Sequence, residues 1–383
     1  MKISFNRARM QQVFSVAAGV APTRSPKAIL QNVKVVASGG DVYLYATDTE
    51  ICVRARLTGA TVDQPGECLL PVQRFQQILK ESKADELSIT VVETPEKSAI
   101  TVKGDRGRWN LALVRSNEYP SMNFVAATNG HRLQAANVKT LLGRTSFAAE
   151  DGEYHRYTLA GVLLEFLDGC ILGIATDGRR IAYVKCAGQM VGTHSPPLFT
   201  IVPLKGIGAV SRAFAGAEGE AVITADLNKV QFSTPDLAIS VRLTEGRFVR
   251  WQDIFSMIQP AFQVVVNVGE FASVLRQASI VTNLESRSVT LQFGQGRILV
   301  SSSTQNVGDS ETEFAVEYDG DEFEVMLNPQ FVIEFLNTLG SETSIVMHVG
   351  SANREQPHSE ASVLFTCGDD YRYIVQPMTG AAE

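Results

Sequence analysis

At 383 residues the chain exceeds what one hydrophobic core organises, which predicts two or three domains. Hydrophobic residues at 45% and charged residues at 20% mark an ordinary globular chain, and no stretch approaches the roughly 18 consecutive apolar residues of a membrane span. A net charge of −7 excludes a protein that grips nucleic acid over its whole surface, while leaving room for a local basic lining.

The chain opens on MKISFNRARMQQVF, which alternates as a strand and then turns polar. It lacks the apolar stretch and small-residue cleavage site of a signal peptide, so a cytoplasmic address is expected. Met10, Val13, Phe14 and Ala17 then take the i, i+3, i+4, i+7 spacing of a helix with one apolar stripe. AILQNVKVVA and YLYATDTEI read as strands. A second helix begins in LLPVQRFQQILK around Pro71, proline being favoured in a first helical turn because its missing N–H has no partner there anyway. ELSITVVE returns to a strand, and LALVRSNEYP closes the unit at Tyr119.

The pattern then recurs with a period of roughly 130 residues. Ala46-Thr47-Asp48 returns as Ala175-Thr176-Asp177 in LGIATDGRRI, and the first helix as Val138, Leu141 and Leu142. The second helix returns in TIVPLKGIGAVSRAF around Pro203, AVITADLNKVQFST supplies strands, and SVRLTEGRF closes this copy at Phe248. A third copy carries Phe271, Val274, Leu275 and Ala278, the strands SVTLQFGQGRILVS, a weaker match in ILVSSSTQN, and a helix in VMLNPQFVIEFLNTL around Pro329. The expected fold class is α+β, with three tandem units that each pair antiparallel sheet with two helices, at 1–126, 127–258 and 259–383.

Catalytic chemistry is hard to find. The five cysteines (Cys52, Cys68, Cys170, Cys186, Cys367) are odd in number and scattered through apolar runs, which reads as reduced core thiols. The histidines (His131, His155, His194, His348, His358) stand apart from one another and from cysteine, so neither a metal nor a cofactor is expected. Asp48 and Asp177 recur, but in different units, where each more simply caps a turn. GxSxG, HExxH and the phosphate-cradling GxxxxGK[ST] are all missing, so no catalytic residue is assigned.

The triple unit, the ATDGRRI segment, the N-P-x-F helix start from Asn328 to Phe331 and the run Tyr373-Ile374-Val375-Gln376-Pro377-Met378 together resemble the bacterial sliding clamps, the beta subunits of DNA polymerase III. The likeness runs from MKISF to YIVQPM. It implies a head-to-tail homodimer whose six domains form a ring, helices lining the hole and strands forming the outer sheet. The implied function is a processivity factor that encircles double-stranded DNA without reading its sequence and tethers the replicative polymerase. It would also recruit the clamp loader and repair proteins through short linear peptides. The alternative is a non-enzymatic multidomain scaffold that does not encircle DNA.

The resemblance also assigns residues. DNA-facing candidates are Arg7, Arg24, Arg74, Lys80, Lys139, Arg144, Lys205, Arg212 and Arg276, with Arg24 foremost because similar clamps place a DNA-touching arginine there. Each is equally a solvated helix position, and Glu270 and Glu334 should make the third unit's share of the lining less positive. The peptide pocket would be walled by Leu159, Thr176, Gly178, Arg179, Arg180 and Ile181, then Val249 and Ile254, Asn328 and Phe331, Ser362 and Val363, and Ile374, Gln376, Pro377 and Met378. Leu159, Ile181, Ile254 and Ile374 would equally serve as plain core. Arg179 stands where a histidine is frequent, Val249 where a proline is, Asp253 where a basic or polar residue is, and Gln376 where a methionine is, which makes the pocket more polar. The TGAAE ending replaces a short basic-apolar tail. For the dimer joint, the implied residues are Ile280 and Val281 meeting Trp109.

Overall fold

The computed structural model of the protein describes residues 1–94, 97–150, 159–192, 200–258, 260–282, 287–350 and 362–378. The TGAAE ending, His155, His194 and His358 lie outside them. Two compact units result, one of Met1–Lys139 with Gly188–Leu243 and the other of Thr140–Ala187 with Thr244–Glu383. The cut passes through the second sequence repeat.

In the first unit one sheet runs in the order Thr61–Gln64, Lys2–Asn6, Glu86–Thr94, Lys97–Lys103, Arg108–Ala112. A nine-stranded sheet runs Gln189–Val191, Gly130–Gln134, Glu220–Ala225, Lys229–Ser233, Leu237–Arg242, Ile51–Arg56, Asp41–Thr47, Asn32–Ser38, Gly66–Pro71. Its junction between repeats is the antiparallel pairing of Leu237–Arg242 with Ile51–Arg56, so the sheet does not stop at the repeat boundary. Period-2 alternation puts Val33, Val35, Val42, Leu44, Val53 and Ala55 on one buried face. Helix α1 (Arg7–Ala18) buries Met10, Phe14 and Ala17, and α2 (Val72–Glu81) buries Phe75, Ile78 and Leu79. Phe14 and Phe75 meet edge to face at 4.8 Å. Asn6 caps α1 by accepting from the Arg9 N–H, and Pro71 occupies the cap of α2. Helix α3 (Ala135–Gly143), whose residues divide between the two units after Lys139, carries Val138, Leu141 and Leu142, all fully buried. Helix α4 (Leu204–Ala213) follows Pro203 and lies so close to strand Leu237–Arg242 that a Cβ at Gly206 would sit 2.2 Å from Val241 Cγ1.

The second unit repeats the device. Strands Gly161–Leu167, Cys170–Thr176, Arg180–Ala187, Tyr371–Val375, Val363–Cys367, Ser344–Gly350 and Pro260–Asn267 lie in that order, and Arg180–Ala187 against Tyr371–Val375 joins the second repeat to the third. A four-stranded sheet runs Gly308–Ala315, Arg297–Thr304, Val289–Gly294, Phe323–Leu327. The short α5 (Trp251–Ser256) precedes α6 (Val268–Ala278) and α7 (Pro329–Leu336). Phe271, Val274, Leu275 and Ala278 are buried on α6, as their spacing predicts. On α7, Phe335 stacks on Tyr373 at 4.7 Å with the rings 7° apart.

Candidate functional site

The recurring Ala-Thr-Asp segment is a turn-building device. In Thr176–Arg180 the Thr176 hydroxyl donates to the Arg180 carbonyl at 2.6 Å and accepts from the Gly178 N–H at 3.1 Å. Asp177 Oδ1 accepts from the N–H groups of Arg179 and Arg180 at 2.9 and 3.1 Å. Gly178 takes φ = +86°, which glycine adopts without strain. In the first copy Thr47 bonds Ile51 O and Thr49 N in the same way, and Asp48 accepts from Glu50 and Ile51. Both aspartates are therefore committed to turns, as expected.

What differs between the copies marks the candidate site. The position of Ile51 in the first turn is Arg180 in the second. Its Nε donates to Asp177 Oδ2 at 2.8 Å, Nη1 to Glu334 Oε2, and Nη2 to the Phe147 carbonyl at 2.7 Å. The guanidinium also lies 4.3 Å from the centre of the Phe331 ring. Only 9% of the Arg180 side chain is exposed. Burial works against its charge, but Tyr373, Glu334 and Asp177 outweigh that and its pKa is raised. Phe331 and Glu334 share a face of α7 through their i, i+3 spacing. Glu334, one of the two carboxylates expected to make the third unit's share of the lining less positive, is paired with Arg180. In the first unit the matching turn meets a cation from the helix instead: Lys205 at the start of α4 pairs with Asp48 at 2.6 Å and Glu50 at 3.1 Å, and Gly206 lies against Val241.

Around Arg180, Ile181 pairs with Ile374 across the sheet, and Val363 with Val375. The chain leaves the sheet with the Gln376 N–H donating to the Arg179 carbonyl at 2.9 Å and the Met378 N–H to the Met326 carbonyl at 2.8 Å. Asn328 caps α7 through the Gln330 N–H at 3.0 Å, and Tyr373 donates to the Phe331 carbonyl at 2.9 Å. Leu159, Thr176, Ile181, Val363 and Ile374 are buried, forming core. Val249, Ile254, Asn328, Phe331, Ser362, Pro377 and Met378 are half-buried, while Gly178, Arg179 and Gln376 are exposed. Helix α5 is held to strand Arg180–Ala187 by Trp251 and Phe255, 5.3 and 5.8 Å from the Tyr183 ring, and Trp251 Nε1 donates to Glu165 at 2.8 Å. Sequence reasoning missed Phe147, Tyr373 and this aromatic clasp. The one available signal was Glu334, a carboxylate three residues from Phe331 and the one charged residue of α7.

The basic candidates divide. Arg24, Arg74, Lys80 and Arg212 are exposed in the first unit and Arg276 in the second. Arg7 instead donates to the Ala84 and Leu79 carbonyls, each at 3.1 Å, closing the C-terminal end of α2. Lys139, though exposed, donates to the Ala215 carbonyl at 3.2 Å, and Lys205 holds Asp48 and Glu50. Arg144 lies 4.9 Å over the Tyr371 ring. Of the joint residues, Ile280 is 77% exposed and Val281 half-buried near edge strand Gly308–Ala315, whose neighbour Val307 is 58% exposed. Trp109 lies half-buried on edge strand Arg108–Ala112, its ring over Gly107.

All five thiols are free, and among the described residues no group of three or more His, Cys, Asp and Glu is placed to hold a metal ion. Among the described residues no helix is long and apolar enough to cross a membrane.

Three family models match in succession: the N-terminal domain of the DNA polymerase III beta subunit over 1–123, the central domain over 132–249 and the C-terminal domain over 259–356. The beta sliding clamp of Pseudomonas aeruginosa is 26% identical over 99% of this chain and 100% of its own length. That of Escherichia coli is 24% identical over 99% and 100%. Among solved structures, the sliding clamp (DNA polymerase III subunit beta) from Pseudomonas aeruginosa bound to griselimycin superposes with a TM-score of 0.86 at 25% identity, covering 99% of both chains. The DNA polymerase sliding clamp from Bacillus subtilis gives 0.86 at 20% identity over 100% of both, a likeness of fold.

Proposed function

Because the chain belongs to the DNA polymerase III beta-subunit family, the bacterial sliding clamps, we propose that two copies join head to tail around duplex DNA and that the Arg180–Phe331 site receives the peptides of its partners. The protein is a DNA sliding clamp, a processivity factor and not a catalyst. A closed ring keeps a tethered polymerase at high effective concentration near its template, even where each protein–DNA contact is weak. The observation that carries this reading is the succession of three clamp-domain models along one chain. We take the domains as 1–126, 127–258 and 259–383, and the cytoplasm as the place of action.

Several features support the residue assignments. Exposed Arg24, Arg74, Lys80, Arg212 and Arg276 have side chains available to phosphates, whereas Arg7, Lys139, Arg144 and Lys205 already hold intramolecular partners. Solvent-facing Ile280 and Val307 beside an unpaired sheet edge suit a joint with the Trp109 edge of a second copy. Half-buried Val249, Ile254, Phe331, Pro377 and Met378 offer apolar surface for Leu and Phe anchors, and Gln376 and Asn328 offer polar contacts. The test is retention on DNA. Loaded onto nicked circular plasmid, the protein should stay bound at high salt and be released when the plasmid is linearised; loss from the circle at high salt would mark ordinary electrostatic binding instead.

A further inference from the structure

The two units close the space between neighbouring repeats differently. In the second, Tyr371 fills it. Fully buried, Tyr371 donates to the Arg144 carbonyl at 2.9 Å and meets Thr338 Oγ1 at 2.9 Å, and the Arg144 guanidinium lies 4.9 Å over its ring. Across the sheet Tyr371 pairs with Val184. In the first unit each of these four places holds a smaller residue. Leu237 pairs with Ala55 as Tyr371 does with Val184. Val16 stands as far from the start of α1 as Arg144 from the start of α3, and Ala213 as far from the start of α4 as Thr338 from that of α7. In place of the ring, hydroxyl and guanidinium, the first unit has a cleft of about 640 Å³ lined by Val16, Ala55, Ala213 and Leu237, a size suited to a small organic ligand.

The rim of this cleft is charged. Arg56 is held by Asp41 at 2.7 Å and by Asp236 at 3.4 Å, whereas Arg212 has no ionic partner among the described residues. The Arg212 guanidinium lies beside two glycines: a Cβ on Gly208 would stand 3.4 Å from Nη1, and one on Gly19 3.8 Å from Nε. Glu218 is exposed on the same lining.

We propose that the cleft is a binding site for a small aromatic carboxylate, whose ring takes the place that Tyr371 fills in the second unit and whose acid group pairs with Arg212. The ring buries against four apolar side chains, and the planar guanidinium matches a carboxylate. Glu218 restricts the ligand to one acid group, because a second would meet a like charge.

The experiment titrates cinnamate and its uncharged amide, cinnamamide, into the full-length protein without DNA or peptide, with binding read by saturation-transfer NMR. Cinnamate should bind saturably with a dissociation constant at or below about 1 mM, and about 2- to 5-fold more tightly than the amide in ~0.15 M salt. Arg212→Gln should remove that preference and leave amide binding unchanged. Leu237→Tyr, which restores the filling ring, should abolish binding of both compounds, and Phe331→Ala in the second unit should alter neither. If circular dichroism shows Leu237→Tyr to be unfolded, the surface change Arg212→Gln decides alone. No saturable binding, equal affinity for the two compounds, a preference that survives Arg212→Gln, or undiminished binding to folded Leu237→Tyr overturns the proposal. Loss of binding in Phe331→Ala overturns it too, since the probe would then sit in the other unit.

Discussion

At Arg180 two carboxylates, a carbonyl and an aromatic ring converge on one guanidinium, so removing it does more than delete a contact. Arg180→Ala leaves Asp177 and Glu334 without their cation in a partly buried setting, which should cost about 2–3 kcal/mol, toward the low end for a broken buried pair because Glu334 keeps some solvent. The chain has two tryptophans, so in a Trp109→Phe background Trp251 fluorescence reports unfolding of the second unit alone. Glu334→Gln, which keeps a hydrogen-bond acceptor, should cost less than Glu334→Ala in the same assay. Thiol chemistry gives a second residue-level check. Burial pushes Cys68 up to about 12 and Cys186 up to about 11, so neither forms thiolate at pH 8. Iodoacetamide followed by peptide mass mapping should modify half-exposed Cys367 and Cys52 first; early modification of Cys68 would contradict the packing. His348, whose Nε2 meets Thr366 Oγ1 at 3.1 Å, has its pKa lowered by burial below 6.5. The unfolded chain then binds more protons than the folded one just below pH 6.5, so this group's contribution to stability declines on acidification through that window. His348→Gln should flatten that part of the second unit's stability profile, read again from Trp251.

The helices and strands were largely legible as local patterns, but their connections across repeats were not. Met10, Phe14 and Ala17, and again Phe271, Leu275 and Ala278, announce a buried stripe because helical period is a property of neighbouring residues. The pairing of Leu237–Arg242 with Ile51–Arg56 joins segments far apart in the chain, and backbone hydrogen bonds leave no residue-type mark of which edge they will seek. The same reason hid the Arg180 site's supports: Phe147 contributes a carbonyl, which any residue would offer. Gly206 is a partial exception, legible afterwards through the absence of a side chain where α4 presses on Val241. Gly206→Ala should force α4 or strand Leu237–Arg242 to shift and cost about 1–3 kcal/mol, an overpacking penalty. Trp109 fluorescence in a Trp251→Phe background reads it in the first unit; an unchanged midpoint would mean the helix moves freely there.

At the scale of the whole molecule, sheets continue across the repeat junctions and end elsewhere in open edges. The pairing of Leu237–Arg242 with Ile51–Arg56 satisfies strand edges at the junction of the first two repeats, and that of Arg180–Ala187 with Tyr371–Val375 does so at the junction of the last two. Among the sheet edges that remain are Arg108–Ala112 and Gly308–Ala315, the latter flanked by Ile280 and Val307 exposed to solvent. Exposed apolar side chains beside an unpaired edge are a liability in a monomer and an advantage in an oligomer, where backbone pairing sets register and apolar burial supplies free energy. Replacing Ile280 and Val281 together by serine removes the apolar part and leaves the backbone edge, so the fold should persist while association weakens. Sedimentation at micromolar concentration should show dimer for the unaltered protein and monomer for the double variant, and the variant should no longer stay on nicked plasmid at high salt. The order of these outcomes matters: a variant that remains dimeric removes Ile280 and Val281 from the joint, whereas a monomer that is still retained on circular DNA would separate retention from ring closure and undo the topological account of the protein's function.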